Sequence, residues 1–141
     1  MENQEILKGN KLIAEFMGFK IGKLNGWLSG TTIEDCAYLK DESGNISKAN
    51  LISKLKYHSS WDWLMPVVEK IRDCNCVVNI KFLRKLNTTN TFIASFDLKW
   101  NKDISENGIS IESTFKSVVN FIEWYNHIEW YNQQSINQKH R

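Results

Sequence analysis

The spacing of apolar residues in the middle of the chain predicts an amphipathic helix. Within residues 57–73, apolar side chains recur at intervals of three, four and three, at Trp61, Leu64, Val68 and Ile71. Residues with this spacing share one side of an α-helix. Ser59, Ser60 or Asp62 is expected to cap its first turn. Pro66 follows within a turn if the helix begins near Asp62, where a missing N–H costs least. We therefore predict a half-buried helix.

Helical spacing also predicts a helix near each end of the chain. The first runs from about Asn3 to Met17 and ends at Gly18, with Gly9 costing it about 1 kcal/mol relative to alanine. Its predicted buried stripe is Ile6, Ile13, Phe16 and Met17, widened by Leu7 and Leu12. The last helix begins near Ser110 with Glu112 in its first turn. Its predicted core stripe is Ile111, Phe115, Val118, Ile122 and Tyr125.

A period of two after the middle helix predicts a β-hairpin. One strand has Cys76, Val78, Ile80 and Phe82 on one face. The other has an apolar face opposite Ile93 and Ser95, made of Phe92, Ala94, Phe96 and Leu98. Residues 84–90 are the expected loop. Shorter extended segments are predicted at 19–27 and 36–40, with a turn at 41–45, whereas residues 51–57 show no clear period.

Together these elements predict an α+β fold, in which an antiparallel sheet of about four strands is layered with three helices. A chain of 141 residues that is 42% hydrophobic and 24% charged fits one domain. We place that domain at residues 1–132. Residues 133–141 are expected to form a polar, flexible tail.

A direct repeat changes the pattern of the last helix. The pentapeptide Ile-Glu-Trp-Tyr-Asn occurs at 122–126 and again at 128–132. Six residues turn a helix by about 240° net, so the second copy cannot face the core that the first one faces. A second stripe is expected roughly opposite the core stripe, formed by Phe121, Trp124, Ile128 and Tyr131. We predict that it binds a protein partner or another copy of the chain, with fraying in solvent and packing within the chain as alternatives.

Charge and cysteine usage exclude some classes of function. The 18 basic and 16 acidic residues are interspersed and give a net charge of +2, which disfavours duplex binding by charge alone. No signal-peptide pattern opens the sequence, and no apolar segment reaches the roughly 18 residues of a membrane span. We therefore expect a cytoplasmic protein without membrane contact. Three cysteines, Cys36, Cys74 and Cys76, suit a reducing compartment and predict no disulfide.

The order of elements resembles a known family. The matching segments are Phe-Met-Gly-Phe-Lys at 16–20, Trp-Leu-Met-Pro-Val-Val-Glu-Lys-Ile at 63–71, the hairpin, and Ser-Ile-Glu-Ser-Thr-Phe-Lys-Ser-Val-Val at 110–119. They resemble the phage ABA sandwich domain family, a group of small, largely uncharacterised phage and prophage proteins. The resemblance implies a sheet layered between helices and supplies no catalytic residues. The use of 15 Asn, 15 Ile and 15 Lys against 3 Arg also indicates an AT-rich bacterial, phage or mobile-element genome.

No catalytic or metal motif stands out. The best constellation joins His58 and Asp62 with Ser59 or Ser60, and we interpret it as a helix cap beside a partly exposed imidazole. Two thiols at 74 and 76 fall short of the four ligands of structural zinc, so we expect no metal and no cofactor. Gly22, Gly26 and Gly30 lack the lysine and helix start of a phosphate loop and are expected at turns.

Single-stranded nucleic acid is the alternative ligand. Basic residues could converge on an exposed sheet face, namely Lys20, Lys23, Lys54, Lys56, Lys81, Arg84 and Lys85. Trp27 or Tyr57 is expected nearby to stack a base. Against this, scattered lysines usually form an ordinary solvated surface. The sequence therefore favours a small phage- or prophage-type accessory protein that is not an enzyme. We expect it to bind a protein and to antagonise host or defence machinery. A single-stranded RNA-binding protein is the alternative.

Overall fold

The computed structural model describes residues 1–24, 35–74, 76–83, 88–95, 101–106 and 110–139. In chain order its elements are α1 (Asn3–Phe16), β1 (Lys20–Gly22), β2 (Cys36–Lys40), β3 (Ile46–Leu51), a 3₁₀ turn (Ile52–Lys54), α2 (Trp61–Asp73), β4 (Cys76–Leu83), β5 (Thr88–Ser95), β6 (Asn101–Glu106) and α3 (Ser110–Lys139). The predicted mixed α+β fold is confirmed. The three predicted helices are present, with α1 ending one residue before the expected Met17.

The described strands form two antiparallel sheets of three strands each, where the sequence predicted one sheet of about four. One sheet has the order β1-β2-β3 and the other β4-β5-β6. The two additional strands are β3 and β6, which lack the regular alternation that marks β4. In β3, for example, Ser47 and Lys48 are consecutive exposed residues, and the next three positions are all half-buried.

The turn between β2 and β3 follows its predicted chemistry. The Asp41 carboxylate accepts hydrogen bonds from the backbone N–H groups of Ser43, at 3.0 Å, and Asn45, at 2.9 Å. Gly44 has φ 84°, a left-handed conformation that glycine adopts without steric cost. Because this turn joins β2 to a partner strand, the predicted isolated segment at 36–40 is the first half of a hairpin.

The buried face of β5 is not the one predicted. Thr91 and Ile93 are fully buried, whereas the sequence assigned Phe92 and Ala94 to the apolar face and Ile93 to the other. The register explains the error, since Ile93 pairs with Val78 and Thr91 with Ile80. Directly paired residues point to the same side of a sheet, so the buried face of β4 fixes that of β5. The apolar residues of β5 considered alone therefore indicate the wrong face of the strand as the buried one.

In α1 the buried residues include three that the predicted stripe left out. Ile13 is buried as expected, together with Gly9, Asn10 and Ala14, whereas Leu7 is 40% exposed. The helix ends as predicted before Gly18, which has φ 97°. At that end Lys70 of α2 donates a hydrogen bond to the Phe16 carbonyl, and its ammonium lies 4.6 Å from the centre of the Phe16 ring. This cation satisfies a terminal carbonyl and fixes α2 against α1.

The middle helix has the predicted core side but different details at its start. Leu64, Val68 and Ile71 are buried, and Trp61 is half-buried. Ser60 occupies the N-cap position without a capping hydrogen bond from its side chain, so the predicted cap is absent. The helix begins at Trp61, which places Pro66 in its second turn, where the missing N–H interrupts a regular bond. The expectation that Pro66 lies in the first turn is therefore wrong.

The last helix is longer than predicted and lies centrally in the core. It packs against α1 and α2 as well as β5 and β6. The predicted core residues Ile111, Phe115, Val118 and Ile122 are all buried, and Tyr125 packs against them while partly exposed. Residues 133–139 continue the helix to Lys139, beyond the predicted domain boundary at 132.

Candidate functional site

The first and last helices run side by side in the same direction. At their beginnings, the Met1 amino group lies 3.5 Å from a carboxylate oxygen of Glu112. At the other end, the ring centres of Phe16 and Tyr125 are 5.9 Å apart. Because α1 ends at Phe16, it accompanies α3 as far as Tyr125 and no farther. Residues 126–139 of α3, which we call the α3 extension, therefore continue past the end of α1.

The four residues of the predicted partner-binding stripe have different environments. Phe121 is fully buried, with its ring centre 6.3 Å from that of Phe16 and 5.9 Å from that of Tyr125. Trp124 is half-buried, with its ring centre 5.8 Å from that of Phe121. The side chains of Ile128 and Tyr131 lie outside the part of the chain that the structure describes. Phe121 belongs to the core, so the prediction that it lies opposite the core is wrong.

The reason is that α3 has two buried sides. One side meets α1, where Phe115 and Val119 lie against Gly9. The other meets β5, where the Thr91 hydroxyl lies 3.2 Å from that of Ser113 and 2.9 Å from that of Thr114. These small hydroxyl residues are buried, and the Thr91 hydroxyl hydrogen-bonds with both residues of α3.

Helical geometry places the predicted stripe on the strand-facing side of α3. Eleven residues make about three full turns, so Trp124 lies above Ser113, and Ile128 lies above Ser117. Tyr131 follows Ser113 by eighteen residues, or about five turns, and is also in line with it. The stripe therefore continues the buried Ser113–Ser117 side toward the end of the helix.

The predicted basic surface is divided between the two sheets. Lys20, Lys23, Lys54 and Lys56 are exposed on or beside the β1-β2-β3 sheet, whereas the exposed Lys81 belongs to β4. Arg84, Lys85 and Trp27 lie outside the described residues. Tyr57 is only 5% exposed, and its ring makes an edge contact with that of Trp63, with 5.3 Å between centres. Burial also raises the pKa of the Tyr57 hydroxyl. It is a core residue and does not offer a stacking surface for a base.

The predicted His58 constellation does not form as described. His58 Nδ1 lies 3.1 Å from the amide nitrogen of Asn10, and its ring packs edge-on against Phe115. Burial lowers the pKa of His58. Asp62 is exposed in the first turn of α2. His58 is thus partly exposed, as predicted, and it also contacts Asn10 of α1 and Phe115 of α3.

None of the three cysteines is in a disulfide. Cys36 and Cys76 are buried, and the Cys76 thiol donates to the carbonyl of Cys74, with 3.6 Å between sulfur and oxygen. Among the residues that the structure describes, no group of three or more His, Cys, Asp or Glu side chains is placed to hold a metal ion. Within those same residues, no helix has both the length and the apolar content needed to cross a membrane.

The described residues form concave surfaces that were not predicted. One is a groove of about 580 Å³ between α2 and β4, lined by Glu69, Arg72, Asp73 and residues 76–78. Its charged side chains have both signs, so it favours no single class of ligand. A second is a smaller cavity of about 280 Å³ beside α1, lined in part by Asn10 and His58. A polar residue on an apolar helical stripe is a sequence signal that could have indicated the second one, because Asn10 lies four residues after Ile6 and three before Ile13.

Comparison with known proteins did not indicate a function. No protein-family model matched the chain, and neither curated proteins nor solved structures gave a match.

Proposed function

We propose that the protein acts by stoichiometric binding to another protein, and that the α3 extension forms the contact. The observation that carries this proposal is the difference in length between the paired helices, since α1 ends level with Tyr125 while α3 continues to Lys139. At about 1.5 Å per residue, the extension adds about 21 Å of helix past the end of α1. Asn126 and His127 at the start of the extension are exposed, and Trp124 just before them is half-buried, so we infer that this end of α3 is available to a second protein.

The residue pattern of the extension indicates the chemistry of that partner. Trp124, Ile128 and Tyr131 are spaced four and three residues apart, which corresponds to positions i, i+4 and i+7 on one side of a helix. Helices that dock into apolar grooves use anchors with this spacing, and aromatic residues are enriched at such contacts. The proposed partner is therefore a protein with an apolar groove that receives one side of a helix.

Charge supports an apolar contact over an electrostatic one. Within residues 126–139 the only acidic residue is Glu129 and the only Lys or Arg is Lys139, so the formal charge of the segment is zero with His127 neutral. A neutral helix gains little from long-range attraction to phosphates or to a charged surface. Its contribution to binding would come from buried aromatic and aliphatic side chains.

The proposed biological setting is a bacterial cell that carries a phage or prophage. The resemblance to phage ABA sandwich proteins and the AT-rich residue usage support a phage-type accessory protein acting in the host cytoplasm. A protein of this size that acts by binding, without catalysis, is suited to blocking a component of the host machinery or of a defence system.

The test is affinity capture from lysates of candidate bacterial hosts with three forms of the protein. Trp124 packs on the core ring of Phe121, so the variant Ile128→Ser/Tyr131→Ser disturbs the stripe with less risk to the fold. Trp130→Ser is the matched control, because Trp130 is an aromatic residue of the same segment about 100° away from Tyr131. We expect the wild type and the control to recover the same protein in equal amounts and the double variant to recover at least tenfold less.

Equal recovery by all three forms would remove the α3 extension from the contact. Light scattering of the purified wild type separates a second possibility. A dimer mass that reverts to a monomer mass in the double variant, but not in the control, would identify another copy of this chain as the partner.

The alternative function, single-stranded RNA binding, retains the four exposed lysines near the first sheet but lacks the Tyr57 stacking surface. A gel shift with single-stranded RNA at low and moderate salt tests it, because binding through phosphates must weaken as salt rises. Salt-dependent binding lost on changing Lys20, Lys23, Lys54 and Lys56 to alanine would favour this function over the first.

A further inference from the structure

The β1-β2-β3 sheet has one face that packs on the core and one that faces outward. Ile21 of β1 and Ala37 of β2 pair directly, and Ala37 belongs to the core while Ile21 packs against it. Because side chains alternate along a strand, the neighbouring positions point to the opposite face. The outward face therefore carries Lys20 and Gly22 of β1 and Tyr38 of β2.

Exposure on this outward face increases along the central strand, β2. Cys36 is fully buried, Tyr38 is half-buried and Lys40 is exposed, although all three point to the same face. One end of the face is therefore covered, and the other end, toward the turn at 41–45, is accessible. Tyr38 lies at the boundary between these two parts.

The ring of Tyr38 extends across the neighbouring strand. A Cβ atom at Gly22 would lie 3.5 Å from Cε1 of Tyr38 and 3.7 Å from its hydroxyl oxygen. The residue opposite Tyr38 on β3 is Ala49, so the positions on both sides of the ring are too small to cover it. None of the described residues forms a ring contact or a hydrogen bond with the Tyr38 side chain. The accessible part of this ring is available to stack on a planar group.

The charged side chains beside Tyr38 on this face are positive. Lys20 pairs with Tyr38 across the two strands, and Lys40 lies two residues farther along β2. Both lysines are exposed, and no carboxylate of the described chain forms an ion pair with either. The adjacent turn contains Asp41 and Glu42, but the Asp41 carboxylate is directed to backbone N–H groups of that turn. Ammonium groups on two sides of an aromatic ring favour an anionic ligand that contains planar groups.

We propose that the surface formed by Lys20, Tyr38 and Lys40 binds single-stranded nucleic acid, with one base stacked on the Tyr38 ring and the neighbouring phosphates beside the two lysines. Proteins that bind single strands without sequence preference combine aromatic stacking with a positively charged path for the backbone. The surface contains no residue of the α3 extension and is independent of the proposed protein contact. It also supplies the aromatic side chain that Tyr57 does not offer to the RNA-binding alternative.

The test is fluorescence anisotropy of a labelled oligothymidylate of about 15 nucleotides, titrated with the full-length protein. The matched ligand is a strand of the same length and charge that lacks all bases. Because stacking requires a base, we expect the abasic strand to bind at least fivefold more weakly. If two phosphates are contacted, a rise in salt from about 50 to 200 mM should weaken the binding of oligothymidylate about sevenfold.

Substitutions at position 38 separate stacking from packing. Tyr38→Phe keeps the ring and should bind like the wild type, whereas Tyr38→Leu keeps an apolar side chain without a ring and should bind at least fivefold more weakly. Lys20→Met should weaken binding and reduce its dependence on salt. Lys48→Met is the matched control and should bind like the wild type, because Lys48 lies over the Phe19 ring on the other face of the same sheet.

The absence of saturable binding to oligothymidylate at the lower salt concentration would overturn the proposal. Equal affinity for the abasic strand would also overturn it, because the protein would then contact phosphates only. Wild-type affinity in Tyr38→Leu would exclude Tyr38 as the stacking residue. Each of these results leaves the α3 extension untouched, so the proposed protein contact is judged by its own capture experiment.

Discussion

Replacing Gly9 with alanine should destabilise the protein, although helix propensity alone predicts the opposite. Gly9 is buried inside α1, where an alanine is intrinsically favoured over glycine by about 1 kcal/mol. A Cβ atom at this position would lie 2.5 Å from Cζ of Phe115 and 3.0 Å from Cγ2 of Val119. Carbon atoms pack best at about 3.5–4.0 Å, so the added methyl group overlaps the ring by about 1 Å.

The surrounding contacts determine which effect is larger. Phe115 is 1% exposed and its ring also packs against His58, so it cannot rotate into solvent to make room. Overfilling a packed core costs about 1–3 kcal/mol. After subtracting the gain in propensity, we expect Gly9→Ala to lower the free energy of unfolding by about 1 kcal/mol. For a domain of this size, that corresponds to a fall in melting temperature of roughly 4 °C.

Urea and thermal unfolding followed by circular dichroism measure this change. Position 8 supplies the matched control, because Lys8 is exposed on the same helix. There we expect Lys8→Ala to be more stable than Lys8→Gly by about 1 kcal/mol. In a double-mutant cycle, Phe115→Leu should make Gly9→Ala less costly by about 1 kcal/mol or more. A Gly9→Ala variant more stable than the wild type would refute the close contact between α1 and α3.

Three further predictions follow from single contacts. Thr91→Val removes the buried hydroxyl that hydrogen-bonds with Ser113 and Thr114, so the free energy of unfolding measured in urea should fall by about 1–3 kcal/mol. An unchanged urea midpoint would show that these hydrogen bonds do not stabilise the packing of β5 against α3. Pro66→Ala restores an N–H to the second turn of α2, so the free energy of unfolding should increase by about 1–3 kcal/mol and the melting temperature should rise. A lower melting temperature would show that Pro66 does not destabilise the helix. Burial lowers the pKa of His58 below its ordinary value of 6.5, so the folded protein binds fewer protons than the unfolded chain. Stability should therefore fall as the pH drops from 7 through that lowered pKa. The fall should be smaller in His58→Gln, and equal pH profiles in urea unfolding would exclude this role.

The sequence correctly predicted the elements that have one buried side or a characteristic turn beside them. Helix α2 and strand β2 were found at the expected positions, because α2 buries one side and the turn at 41–45 has distinctive chemistry. The error in β5 arose because its buried face is set by pairing with β4, and Thr91 is buried through hydrogen bonds to α3. Such pairing is not encoded in the composition of one strand.

The candidate site was predictable only in part. Spacing predicted a stripe through Trp124 that stays a prediction, and it assigned Phe121 to the wrong side, because α3 buries two sides and one of them includes small hydroxyl residues such as Ser117. The role of Gly9 was also not predictable from the sequence. From the sequence it was only a weak helix position, and the packing of Phe115 against it supplied the reason for a glycine.

Native-state hydrogen exchange along α3 tests most directly whether the α3 extension is available to a partner. We expect the amides of residues 111–125, which pack against α1 and β5, to exchange only through global unfolding. Amides of the extension should exchange at least a hundredfold faster in the free protein and slow down when the captured partner is added. Equal, core-like protection of both halves in a monomer would show that the extension belongs to the same core and is not available to a partner.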